Sequence, residues 1–424
     1  MILLPRFLFD AFRHGKYVAG FRERLGILTP IKGNQRPVIW LHCVSVGETQ
    51  AARPLVQSLQ GQFPEYALAV STITVTGQRL AREIFKNSAV KVFYFPFDWG
   101  FTTRRALNRI NPVVVLLMET ELWPGFLRKC SQRNIPVAVV NGRLSERSFR
   151  RYRLIKPFIS RVLRSLEMAL MQTDEDAERI CGLGLSKDKI FVSGNLKFDA
   201  GTIPLNSSLT EELRQNFDSP VRPLLLAAST HASEERILIE AFRRLQSDAL
   251  RRPRLLIAPR HPERFAEVAS LMAASGFLWT RRTTAAPGHA GEHDLILLDT
   301  IGELPAAYPL AEIVFVGGSI TKNGGHNLLE PAALGSCIVT GAHTFNFTAI
   351  VKTFAEADAI IQLPPLSEAE AEVELAKVFS ELLAEATRRK GLGQRAKALV
   401  QENLGATDRT VKLIEPIFTR TTGM

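Results

Sequence analysis

The chain has 424 residues, a formal net charge of +11 and 46% hydrophobic side chains, enough for two or three domains of about 150 residues each. Its four cysteines, Cys43, Cys130, Cys181 and Cys337, lie far apart in sequence, which argues against a disulfide framework or a paired-cysteine zinc site. No apolar run approaches the ~20 residues that span a bilayer, and the excess of Lys and Arg asks for an anionic partner: nucleic acid, a membrane surface or a phosphorylated substrate.

The N-terminus interleaves Phe7, Phe9, Phe12, Tyr17 and Phe21 with His14, Lys16, Arg22 and Arg24, and Pro5 and Arg6 break its apolar start. Residues 1 to about 27 thus read either as an interfacial segment on a membrane or as a helix packed on the body of the protein. Strand-like runs then alternate with helical patterns: Val38–Val44 before a helix from about Thr49, Ala67–Thr72 before a helix over Thr76–Phe85, then Val90–Tyr94, Val113–Met118, Pro136–Asn141, Met168–Gln172 and Ile190–Val192. A polar stretch at Ala200–Pro223 interrupts the series, which resumes at Leu224–Ala228, Arg254–Ala258, Leu278–Thr280, Leu295–Leu298, Ile313–Val316 and Cys337–Thr340. Glu370–Phe418 reads mainly as helix. Such alternation predicts βαβ units, hence parallel sheets whose ligands sit at the carboxyl ends of the strands.

Several strand ends carry chemistry. Ser45 and Glu48 at the first junction have the spacing of a capping box, and the same place suits Glu48 as a general base. Glu119 and Glu121 emerge where a very apolar strand stops, either to titrate apart or to open a loop. Lys197 ends the first run as a cation for a cleft or as a solvated lysine. In the second half, the fork of Arg260, after Pro259, suits a phosphate or carboxylate. Gly302, before Glu303 and Leu304, lets a ligand approach the backbone; both segments equally fit ordinary turns. Phe315–Gly335 reads as a strand, a glycine-rich loop and a helix opening on Asn327. There, backbone N–H groups and a helix N-terminus would hold an anion and Glu330 would accept sugar hydroxyls, unless the glycines serve only a tight turn.

Asp174 and Asp176 have the D-x-D spacing of metal-dependent sugar transferases, but they open a helix, where acids match the dipole. His42, His231, His261 and His326 lack metal-ligand spacing, so neither a metal nor a cofactor is expected. Arg143, Arg147, Arg150, Arg151, Arg153, Lys156, Arg161 and Arg164 are the densest basic stretch. It reads as solvated helix faces or as a site for anionic lipid or a phosphorylated acceptor. Its few aromatics and the lack of a recognisable module speak against nucleic acid.

Taken together the segments resemble the 3-deoxy-D-manno-octulosonic acid (Kdo) transferases of lipopolysaccharide synthesis. The matching motifs are SVGE at Ser45–Glu48, METELWP at Met118–Pro124, GNLKFD at Gly194–Asp199, STH at Ser229–His231, PRHPERF at Pro259–Phe265, GEL at Gly302–Leu304, GGHNLLEPA at Gly324–Ala332 and HTFNF at His343–Phe347. The resemblance implies an α/β chain of GT-B glycosyltransferase fold, two Rossmann-like doubly wound domains facing a central cleft. It places an acceptor-binding domain at 1–200, a linker at 201–223 and a donor-binding domain with C-terminal helices at 224–424. It implies an inverting, metal-independent transfer of Kdo from CMP-Kdo to a lipid A precursor (lipid IVA), by a protein held peripherally on the cytoplasmic face of the Gram-negative inner membrane. Carried onto this chain, the base falls on Glu48 and the transition-state stabilisers on Glu119 and Lys197. CMP contacts fall on Pro259, Arg260, Gly302, Glu303, Leu304, Asn327, Leu328, Leu329 and Glu330. The family often begins with a longer apolar anchor, from which this N-terminus departs. Two alternatives stand beside this reading: another GT-B enzyme such as a sugar-nucleotide epimerase, or a non-catalytic basic protein binding membrane or nucleic acid.

Overall fold

The computed structural model describes residues 19–31, 36–201, 206–217, 222–248, 252–284 and 292–422. The start of the expected membrane segment, residues 1–18, lies outside them. The chain divides into two compact units, one running to Ala200 and taken up again from Asn403, the other spanning Gly201–Glu402.

The first unit holds β1 (Val38–His42), β2 (Ala67–Thr72), β3 (Lys91–Tyr94), β4 (Pro112–Met118), β5 (Val137–Gly142), β6 (Met168–Met171) and β7 (Ile190–Val192), in the order β3-β2-β1-β4-β5-β6-β7. All of its pairings are parallel. Its inner strands read as unbroken apolar runs because both faces are covered, whereas the edge strand β7 leaves Phe191 and Val192 exposed. Alternate residues still go opposite ways: Val38, Trp40, Val115 and Leu117 join one core, Ile39, Leu41, Val114 and Leu116 the other.

The second unit repeats the plan with β8 (Leu224–Thr230), β9 (Arg254–Pro259), β10 (Trp279–Arg281), β11 (Leu295–Leu297), β12 (Ile313–Val316), β13 (Ile338–Thr340) and β14 (Ile361–Gln362), ordered β10-β11-β9-β8-β12-β13-β14 and again parallel. Two doubly wound α/β units of this kind are the GT-B architecture. Among the described residues no helix is long and apolar enough to cross a membrane.

Two expected boundaries move. The stretch 201–223 is not a plain linker: Ser207–Phe217 is a helix of the second unit, with Leu213 and Phe217 fully buried. The last helix, Ala406–Thr422, does not stay with the C-terminal unit but packs on the first. Its Val411, Ile414 and Phe418 join the core beside Ile39 and Leu41. The Phe418 ring meets Phe63 at 5.0 Å and Tyr66 at 4.9 Å. Burial of side chains of this size contributes roughly 1.5–3 kcal/mol each, which outweighs sequence proximity. Asp199 completes the join, accepting the N–H groups of Gly405 at 2.8 Å and Thr407 at 2.6 Å.

Candidate active-site residues

In each sheet the chain reverses direction of growth beside its first strand, between β1 and β4 and between β8 and β12. Ligands of doubly wound sheets bind outside the carboxyl ends of the strands at such points. The residues singled out from the sequence follow the carboxyl ends of strands in both sheets, and several of them come together in two separate groups.

In the first unit, β1 ends at His42 and the helix Val46–Ala51 starts three residues after Cys43. The Ser45 hydroxyl caps no backbone N–H, so the reciprocal capping box is not formed. Instead Val44 N–H donates to Glu48 Oε2 at 2.7 Å and Ser45 Oγ donates to Glu48 Oε1 at 3.0 Å. Glu48 is 6% exposed. Burial, then the charge of Glu119, push its pKa up to about 8, with Glu121 adding a little and the two hydrogen bonds opposing. Glu121 is raised for the same reasons, burial first and then Glu119.

Glu119 follows β4 with φ of +54°, a left-handed conformation unfavourable for a residue with a Cβ. Its N–H donates to Val140 O across the sheet at 3.0 Å. Lys197, on the short helix Leu196–Ala200, brings Nζ to 3.7 Å from Glu119 Oε1, an ion pair without a close hydrogen bond. Glu48, Glu119 and Lys197 are therefore brought to one edge.

Asn141, which the sequence reading passed over, belongs with them. It lies near the end of β5, fully buried, at φ of +55°. Its Oδ1 accepts Leu196 N–H at 2.9 Å, fixing the turn that carries Lys197, and its own carbonyl accepts Gln172 Nε2–H at 3.0 Å. Its Nδ2 has no partner among the described residues. An asparagine closing an apolar strand was the available signal, since Asn tolerates left-handed φ better than most residues.

Asp176 is occupied by capping. It donates its N–H to Thr173 Oγ1 at 3.1 Å and accepts Leu144 N–H at 2.7 Å.

In the second unit Pro259 closes β9 and Arg260 N–H donates to Thr230 O at 3.0 Å. Asn327 Nδ2 donates to Glu330 Oε1 at 3.1 Å, and Asn327 Oδ1 accepts Leu329 N–H at 3.1 Å. Burial raises the Glu330 carboxyl; the Asn327 bond and the Arg260 charge pull it back. Arg260 and Glu330 therefore lie within electrostatic reach of one another. Leu328 and Leu329 are buried. Gly302, at φ of +86°, gives the backbone a turn that few other residues adopt, and a Cβ there would meet nothing within 4 Å. Glu303 is tied to Arg282 at 2.9 Å and to the Thr300 hydroxyl at 2.9 Å.

The glycine-rich loop departs from expectation in two ways. The helix starts at Leu329, not Asn327, and is only five residues long, so it offers little dipole. The loop amides already hold an anion belonging to the protein. Glu234, fully buried, accepts the N–H groups of Gly318 at 2.7 Å, Ser319 at 2.9 Å, Ile320 at 3.0 Å and His231 at 3.0 Å. The glycines then serve close packing: Cβ atoms at Gly317 and Gly324 would sit 2.7 Å from Ser229 O and 2.4 Å from Asn346 Nδ2.

Beside this loop His231 Nε2 lies 2.7 Å from His326 Nε2, the rings parallel to within 4°. One nitrogen must carry the hydrogen and the other accept it, so the two rings cannot both be protonated. Burial, then His231, then Arg260 push His326 down to about 3.

A family profile described as 3-Deoxy-D-manno-octulosonic-acid transferase (kdotransferase) matches residues 19–200. The chain is 35% identical over 390 residues to the 3-deoxy-D-manno-octulosonic acid transferase of Haemophilus influenzae, covering 90% of this chain and 87% of that one. It is 35% identical over 413 residues to the enzyme of the same name from Bordetella pertussis, covering 96% and 91%. Among solved structures, MurG of Acinetobacter baumannii matches with a TM-score of 0.56 at 14% identity, over 90% of this chain and 99% of its own, a likeness of fold. Since the identity runs through both units, the chain belongs to the 3-deoxy-D-manno-octulosonic acid (Kdo) transferase family of glycosyltransferases.

Proposed function

We propose that this chain moves Kdo from CMP-Kdo to a hydroxyl of a lipid A precursor, lipid IVA, with inversion and without a divalent metal. The observation that carries the reading is Glu48, a buried carboxyl starved of compensating charge and poised near neutral pH, where a general base is most effective. The acceptor hydroxyl gives its proton to Glu48 as its oxygen attacks the anomeric carbon of Kdo. The bond from that carbon to the phosphate oxygen breaks, and its electron pair leaves with CMP. One in-line displacement inverts the anomeric centre.

Glu119 stabilises positive charge developing on the sugar, while Lys197 and Arg260 meet negative charge on the phosphate. Asp176 supports the metal-independent reading, because its carboxylate is taken by Leu144 N–H and the Thr173 hydroxyl. On this reading the N-terminal unit takes the acceptor. The C-terminal unit takes the donor through Pro259, Arg260, Gly302, Glu303, Leu304, Asn327, Leu328, Leu329 and Glu330. A lipid acceptor places the protein peripherally on the cytoplasmic face of the inner membrane, with the bases of the N-terminal unit against anionic headgroups.

The test is incubation with CMP-Kdo and lipid IVA, read by product mass spectrometry, with and without EDTA. A product heavier by Kdo in both arms is expected. No Kdo-bearing product would refute the activity, and a product lost in EDTA and restored by magnesium would refute the metal-independent mechanism.

A further inference from the structure

The helices Glu146–Leu154 and Lys156–Leu163 both turn apolar side chains inward: Ile159, Val162 and Leu163 enter the core, and Phe149 and Tyr152 pack against it. At their junction the pattern reverses. Leu154 is 85% exposed, Ile155 49% and Phe158 52%. The segment from Arg143 to Arg164 carries eight basic side chains and one acid, Glu146. All eight bases are exposed, and Glu146 is engaged by Arg150 at 2.7 Å and Arg179 at 3.4 Å. The result is a small apolar tip in a field of positive charge.

We propose that this junction is a membrane-docking tip: Leu154, Ile155 and Phe158 enter the interfacial zone of an anionic bilayer while the surrounding arginines and Lys156 hold its headgroups. The inference rests on the reading of a lipid-borne acceptor, and it moves the anchor from the N-terminal segment to an interior helix junction. Charge complementarity selects the occupant. A surface rich in anionic headgroups matches bases with almost no intervening acid, and the long arginine side chains reach headgroups while the tip sits among acyl chains. Three apolar residues on a turn are far short of the roughly 800 Å² per partner that a stable protein interface buries. Single-stranded nucleic acid would want several exposed aromatic platforms, and within the tip Phe158 is the one aromatic.

The experiment is co-sedimentation of the full chain with phosphatidylcholine vesicles and with vesicles containing phosphatidylglycerol. It is repeated for a variant with Leu154→Ser, Ile155→Ser and Phe158→Ser together. These side chains are exposed, so the variant keeps its fold, which circular dichroism confirms. Wild type is expected to bind the anionic vesicles, more weakly as salt rises, and the variant roughly tenfold or more weakly. A Phe158→Trp protein is expected to show a blue shift in emission on those vesicles alone. Wild-type binding with an unchanged variant and no shift for Phe158→Trp would overturn the tip and leave peripheral attachment standing. A wild type that ignores anionic vesicles would overturn both, and preference for an oligonucleotide of matched charge would assign the surface to nucleic acid.

Discussion

Each unit places a buried glutamate just beyond its first strand, and the two are treated in opposite ways. Glu234, after β8, accepts four backbone N–H groups. Glu48, after β1, accepts one backbone N–H and one hydroxyl and shares its surroundings with Glu119 and Glu121. Four donors satisfy a carboxylate and make it a structural pin. Two donors and like-charged neighbours leave the ionised form costly, which is what a proton acceptor near neutral pH requires. Burial alone does not separate the two, since both are buried; the supply of donors does.

The contrast is tested most severely by exchanging its outcomes. Glu234→Ala strands four amides that converge on one point, and loss of such a site costs about 3–5 kcal/mol. Urea unfolding of the full chain is expected to show that loss; a change under 1 kcal/mol would mean the amides find other partners and Glu234 is no pin. Glu48→Gln keeps the shape and should fold, but it cannot take the proton. Turnover is expected to fall by roughly 100-fold or more with CMP affinity nearly intact. In the wild type, kcat/KM should rise with pH, pass its half-maximum near 8, where Glu48 is half ionised, and level off only above that; a profile flat from pH 6 to 9 would remove Glu48 from the role of base.

The same two glutamates show how much was legible beforehand. Thirteen strands are marked in the sequence by short runs between turn signals; the central ones are apolar throughout because both faces are covered, while the edge strands Ile190–Val192 and Trp279–Arg281 are partly exposed. The fourteenth, Ile361–Gln362, is two residues long and offers no period. The last helix declares an apolar face but not which sheet will cover it, so its return to the first unit was hidden. Glu48 and Glu119 were visible because strand ends are where such folds work. Glu234 was not, since its partners Gly318, Ser319 and Ile320 lie more than 80 positions away. For Asn141 the asparagine at the strand end was a signal, but its role was not, because its bond to Leu196 spans 55 positions.

On the C-terminal side the comparison predicts a milder effect, because ligand contacts there are added to a loop already pinned by Glu234. Arg260→Ala and Glu330→Ala are each expected to weaken CMP binding by roughly 1.5–3 kcal/mol, the range for charged hydrogen bonds. Calorimetry with CMP should show this while Glu48→Gln binds like wild type. If both C-terminal variants bound CMP normally, or Glu48→Gln lost it, the assignment of donor and acceptor sides would be wrong.

The smallest effect bears on the cause of Glu48's poise. Its folded pKa, about 8, lies above the ordinary value of 4.5, so between those values the folded chain holds a proton that the unfolded chain has released. Stability contributed by this group is therefore full below about pH 4.5 and lost progressively as pH rises towards 8. Glutamine never ionises and escapes that loss, although its amide gives up one acceptor position to Val44 N–H or Ser45 Oγ. Glu48→Gln should thus match wild type in urea unfolding near pH 5 and exceed it at pH 8 to 9, by on the order of 1–2 kcal/mol after relaxation around the site. A gain equal at both pH values would point to packing and not charge. A loss growing with pH would mean that ionised Glu48 is as well satisfied as Glu234, and the contrast between the two glutamates would vanish.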